Sequence, residues 1–98
     1  MRTRTARRQL ERERQKLDEA KLKLASLEPG YRRDRPIEVS SASQIEPHVR
    51  GMVCPVCDVA YQVDEHRATA HGRVVRARCA RCGRSPDIHF VLRSTLAS

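Results

Sequence analysis

The chain has no tryptophan, and its only aromatic residues are Tyr31, Tyr61 and Phe90. Large rings dominate the buried area of most cores, and a chain of 98 residues has little to put in their place. A fold with so thin a core needs a staple, either disulfides or a metal. Long apolar runs are also missing, so no membrane span is expected. The start Met1-Arg2-Thr3-Arg4-Thr5 is basic, but no apolar stretch follows it, which argues against a secretory signal. Glu11, Glu13, Asp18 and Glu19 argue against an organellar transit peptide. The expected location is the cytosol, where thiols stay reduced. There is no Ser/His/Asp set and no phosphate-binding glycine loop. Asp64 and Glu65 are adjacent, which would put them on opposite faces of a strand rather than in an acid/base pair. Nothing supports an enzyme or a small-molecule substrate, and the expectation is a protein that binds without catalysing.

Positive charge is abundant. Twenty Lys and Arg against 12 Asp and Glu give a formal net charge of +8. Such a balance favours DNA or RNA, an acidic protein face or an anionic membrane surface. From His66 to Pro86 the chain has six arginines and no acid. Arg76 and Arg78 would project from one strand face, and Arg81 and Arg84 flank a cysteine pair. With Arg73 they form the candidate nucleic-acid-binding set, placed to contact phosphates. The competing reading is that these residues offset a metal–thiolate centre, which carries about −2 when four thiolates hold one divalent ion. No aromatic residue interleaves the run, so stacking on single-stranded bases has little support.

The four cysteines fall into two pairs, Cys54-Pro55-Val56-Cys57 and Cys79-Ala80-Arg81-Cys82, with 21 residues between them. A Cys-x-x-Cys step lets two sulfurs meet one ion while backbone N–H groups point back at them, and two such steps complete a tetrahedral four-sulfur shell. Gly83 would relieve the tight backbone after the second pair. Disulfides are disfavoured in a reducing compartment. A redox dithiol would want a helix after the pair in a βαβ setting, and none is visible. Iron takes the same ligands and stays open. The metal ligands are thus Cys54, Cys57, Cys79 and Cys82, and one structural Zn2+ is the expected ion, because four cysteines leave no open position for a catalytic water. With the ligands accounted for, His48, His66, His71 and His89 read as solvated, His66 being the best substitute ligand.

Three stretches are distinguishable along the chain. Residues 1–28 read as a charged helix, stopped by Glu28-Pro29-Gly30. Within it Ala6, Leu10, Glu13, Leu17, Ala20, Leu24 and Leu27 alternate at spacings of four and three, a heptad seam interrupted by Glu13. The seam suggests a coiled coil, packing on a partner or on the metal domain, or a solvated basic arm, with the partner reading preferred, and its apolar face is too narrow for a membrane-surface helix. Residues 29–48, rich in Pro and Ser, read as a linker, with Ile37-Glu38-Val39 as a candidate edge strand. Residues 49–94 read as the metal domain. There Val59, Tyr61 and Val63 share a face, as do Val75 and Ala77, and Ile88, Phe90 and Leu92. Gly72 suits a turn position needing positive φ. The fold expected is a small metal-stabilised α+β chain: an N-terminal helix, a linker and a three-stranded antiparallel zinc ribbon.

Residues 52–92 resemble the short bacterial zinc-ribbon finger domain often found at or near protein N-termini. The matching positions are Cys54, Pro55, Cys57, Tyr61, Val63, Gly72, Val75, Arg76, Cys79, Cys82 and Gly83. Two features depart from that pattern. Ala77 and Arg78 separate Val75-Arg76 from the third cysteine, and the domain lies toward the C-terminus. The resemblance implies a zinc ribbon fold and little about activity. The function expected is a non-catalytic binding protein, either nucleic-acid-associated or a protein-interaction adaptor docking an acidic partner through the ribbon or the helix. A membrane partner is not expected.

Overall fold

A computed structural model describes residues 2–93 of the protein, with side chains from residue 4 onward. Helix α1 spans Arg2–Ala25. Good helix formers fill it, with no Gly or Pro to interrupt the backbone ladder. Its last turn tightens as Leu27 N–H bonds Leu24 O at 3.1 Å and Glu28 N–H bonds Ala25 O at 3.0 Å. Gly30 then takes a φ of 97°. A side chain there would fail on space as well as on backbone strain, because a Cβ would come within 2.6 Å of Ile37 Cδ1.

Four strands follow: β1 (Ile37–Val39), β2 (Gln62–Ala68), β3 (Arg73–Arg78) and β4 (Asp87–Leu92). They form one sheet in the order β1-β4-β3-β2. The β2–β3 and β3–β4 pairs are antiparallel. β1 runs parallel to β4, with Ile37 opposite Phe90 and Val39 opposite Leu92. This overturns the expected three-stranded antiparallel ribbon: the sheet is mixed and has four strands. The edge strand read at 37–39 does form, but in a stretch read as linker. That stretch is built into the body in other ways as well. His89 N–H bonds Gly30 O at 2.7 Å. A 3-10 turn at Ala42–Gln44 leads into helix α2 (Ile45–Arg50), whose Ile45 and Val49 are fully buried. Burying the two apolar residues of a single turn is reason enough for this segment to fold against the sheet rather than stay in water.

The core lies on one sheet face. Val75, Ala77, Ile88 and Phe90 meet Ile45 and Val49 from α2, together with Tyr61, Cys54 and Cys79. On the other face Arg76 lies between Glu65 and Asp87 in register. A bulge between Val63 and Glu65 shifts the phase of β2, turning both Val63 and His66 toward the covered face, where they are half-buried. Gly72 is needed for a different reason than the sequence suggests. Its φ lies outside the left-handed region, but a Cβ would overlap the Phe90 carbonyl oxygen.

Candidate metal centre

The two cysteine pairs sit in turns of the same construction. In the first, Asp58 N–H bonds Cys54 O and Cys54 N–H bonds Val59 O, each at 2.9 Å. In the second, Gly83 N–H bonds Cys79 O and Cys79 N–H bonds Arg84 O, again at 2.9 Å. The residue after each pair adopts positive φ, 56° at Asp58 and 79° at Gly83. Asp is among the few side chains that tolerate this region. The first turn is closed by a Val53–Ala60 bridge and the second by Ala77 N–H on Pro86 O at 3.0 Å. Tyr61 after the first turn and Ala77 before the second are buried in the core, so the two turns are fixed on the same body and face each other.

Their four Sγ atoms all lie within 4.8 Å of one another, with Cys54 and Cys82 at 3.8 Å. All four cysteines are free thiols. Cys54 and Cys79 are buried, Cys57 is half-buried and Cys82 is exposed. Backbone N–H groups point back at the sulfurs: Cys82 N–H reaches Cys79 Sγ at 3.5 Å. Crowding spreads the thiol acidities. Cys57 is pushed up to about 12 by loss of solvation, by hydrogen bonds with Cys82 and Cys79 and by their charge. Cys54 is also raised, first by burial. At Cys82 loss of solvation also acts upward, but the backbone N–H and guanidinium of Arg84, with the neighbouring thiols, outweigh it and bring the group down to about 6. Arg84 is raised in turn, chiefly by its bond to Cys82. One thiolate stabilised by donors, set among thiols that resist ionising beside it, is an arrangement that a cation would relieve.

The other sequence-picked residues are placed as follows. Arg76 Nε lies 3.3 Å from Asp87 Oδ1, and its Nη1 lies 4.0 Å from Glu65 Oε2. Arg78 donates to Gln62 Oε1 at 3.0 Å. Arg81 is exposed, and Arg73 is half-buried on the opposite face of β3 from Arg76. The five arginines are therefore not brought together as one surface. Arg73 instead joins Arg33, Arg67, His71 and His89 around a groove of about 470 Å³ whose lining contains no carboxylate.

Sequence reasoning missed four participants. Tyr31 donates to Tyr61 at 3.4 Å beside the sulfurs, and burial raises both phenols. Tyr31 was the lone aromatic in a Pro/Ser stretch, which was its only signal. Glu65 and Asp87 flank the acid-free arginine run and reach it across the sheet. His66, expected in solvent, has a side chain only 16% exposed, with Nδ1 3.2 Å from Glu46 Oε2.

Comparisons with family models, curated proteins and solved structures return no match to this chain. The metal-binding character rests on the cysteine cluster itself. No helix among the described residues is long and apolar enough to cross a membrane.

Proposed function

We propose that this chain is a non-catalytic binding module whose fold is held by one structural zinc ion on Cys54, Cys57, Cys79 and Cys82. The carrying observation is the convergence of four sulfurs within 4.8 Å. Zinc–thiolate bonds of about 2.3 Å in a tetrahedron require sulfur–sulfur edges of about 3.8 Å, and the Cys54–Cys82 separation is 3.8 Å. Four sulfurs saturate the ion, so the centre stabilises and does not activate water. Structural zinc contributes on the order of 10–16 kcal/mol of binding free energy, which suits a body this poor in aromatic residues.

The test is elemental analysis of freshly reduced protein, with Cys82→Ser beside it. Cys82 is exposed, so its replacement removes a ligand without opening a core cavity. One zinc per chain is expected, with affinity weakened by at least about a hundredfold in the variant. Metal-free protein with an intact sheet would end this reading.

A second reading, contact with DNA or RNA, is favoured by the groove at Arg33, Arg67 and Arg73, whose lining holds no carboxylate; Arg78 and Arg81 are exposed but lie outside that groove. Arg67, Arg76 and Arg84 contribute less, since Arg67 and Arg76 share Glu65 and Asp87 and Arg84 meets the Cys82 sulfur. Binding of duplex DNA and of RNA across a salt series decides it: phosphate contact requires affinity to fall steeply as salt rises, and an affinity flat in salt sinks it.

A further inference from the structure

Helix α1 carries an apolar seam that the other described residues leave uncovered. Leu10, Leu17 and Leu24 are 65%, 55% and 67% exposed. The side of the helix turned to the body is a different one: Asp18 and Leu22 are half-buried there and Ala25 is buried, with half-buried Lys21 on the border between that side and the seam. Leu22 and Ala25 help to wall a cavity with Tyr31, Tyr61 and Arg84. Leu22 and Leu24 are about 200° apart around the axis, so the seam points away from the body.

The charges beside the seam say what can cover it. With Leu10, Leu17 and Leu24 at the first core position of a heptad, the second core position holds Ala6, Glu13 and Ala20. The flanking positions then hold Arg7, Arg14 and Lys21 on one side and Gln9, Lys16 and Lys23 on the other. No acid stands at any of them. Glu11, Asp18 and Glu19 lie on the far side of the helix. Flanking residues are the ones that face a partner helix and set its identity.

A second copy of this chain does not fit. In a parallel pair Lys16 would face Lys21 of the other copy, and Glu13 would face Glu13. In an antiparallel pair cations would again oppose cations along both flanks. Like charges so placed select against the pairing. Nucleic acid accounts for the cations but not for leucines centred between them, since phosphate contact needs no apolar seam. A membrane surface would have to accept Glu13 in the middle of a stripe only one leucine wide.

Taking the chain as the binding module proposed above, we propose that the Leu10–Leu17–Leu24 seam is the docking site for an acidic amphipathic helix of another protein. That helix carries Glu or Asp on both flanks of its own apolar stripe. It places a basic or amide side chain opposite Glu13, which fixes the register. The recognition is hydrophobic along the centre and ionic along both edges, and it leaves the cysteine centre free.

The experiment uses the full metal-loaded chain. The probe is a designed 21-residue heptad peptide with leucine and isoleucine core positions, glutamate flanks and one lysine opposite Glu13. A second peptide has lysine flanks. Binding is read by fluorescence anisotropy, and self-association by sedimentation equilibrium. The chain is expected to be monomeric and to bind the acidic peptide with a dissociation constant on the order of micromolar. It should ignore the lysine-flanked one. Leu17→Asp should weaken binding by at least about tenfold, with metal content and sheet signal unchanged. A quadruple variant, Arg7→Glu, Arg14→Glu, Lys16→Glu and Lys23→Glu, should switch preference to the lysine-flanked peptide. Four results overturn the proposal: a self-dimer broken by Leu17→Asp, equal binding of both peptides, no binding of the acidic one, or its displacement by duplex DNA or by vesicles of phosphatidylserine. Metal content is measured on the same sample. Loss of the zinc reading therefore shows as absent metal, and loss of this one as absent or indiscriminate peptide binding by a metal-loaded chain.

Discussion

Gly83 adopts a φ of 79°, and a Cβ built on it would meet nothing within 4 Å. Gly72 lies outside the left-handed region, and a Cβ on it would overlap the carbonyl of Phe90. The same substitution therefore separates two kinds of cost. Gly83→Ala adds backbone strain alone, about 1–2 kcal/mol. Gly72→Ala must push β4 away from the β2–β3 turn, and about 3 kcal/mol or more is expected. Urea unfolding of the metal-loaded variants gives both values, and a larger loss at Gly83 would show that the second cysteine turn tolerates less than its open surroundings indicate. The cysteines set a pH dependence at the same scale. Near pH 7 Cys82, at about 6, is mostly thiolate. Cys57, at about 12, and Cys54, above its ordinary 9.0, still hold protons. A metal must displace at least those two protons, so affinity rises with pH and acid favours release. The expected slope is at least about a hundredfold per pH unit near neutrality, measurable by competition with a chromophoric chelator. A slope near zero would mean that the sulfurs are already ionised or do not bind the ion.

Among the elements, those with a period were legible and those without one were not. α1 declares itself over several heptads, β4 alternates between covered and open faces, and β3 places Val75 and Ala77 on the covered face although Val74 beside them is buried as well. The four cysteines and the glycine after them were visible in full, because ligand chemistry ties residue type to spacing. β1 has three residues and α2 has six, too few to establish either repeat. Their Pro and Ser neighbours look like a linker, although Pro47 sits where the first turn of a helix tolerates it. The parallel β1–β4 pairing joins residues about half the chain apart, and no local pattern encodes that. The same blindness hid Glu65 and Asp87, which lie just outside the arginine run in sequence but beside Arg76 across the sheet. Ile45→Ala measures what the missed elements contribute. Ile45 is fully buried, and its truncation should cost about 3 kcal/mol. Leu17→Ala on the exposed seam should stay within about 0.5 kcal/mol. Equal small losses would mean that α2 is not part of the cooperative core.

The molecule is long for its mass, 68 Å by 22 Å by 20 Å, because the 24-residue helix α1 projects from a body barely wider than the sheet. Such a helix would be about 36 Å long. Its stability must then come mostly from its own propensity, since only its last turns touch the body, while on the proposed zinc reading the body would depend on the cysteine centre for what its few aromatic residues do not supply. The two parts should answer differently to removal of metal. In the loaded protein, amides of Val75, Ala77, Ile88 and Phe90 should exchange slowly, because they pair within the covered sheet and open only with the whole body. Those of Arg7 to Leu17 should exchange fast, as expected of a solvated helix with little tertiary support. After treatment with a strong chelator, sheet protection should collapse toward that of an unfolded chain, while the helical amides change little. Hydrogen exchange read residue by residue by NMR distinguishes the alternatives. Protection of the sheet that survives chelation would mean that the apolar core alone holds the body and the metal only decorates it. Protection of Arg7 to Leu17 that falls together with the sheet would mean that the helix leans on the body, and the seam would then be a face of one folded unit instead of a free arm.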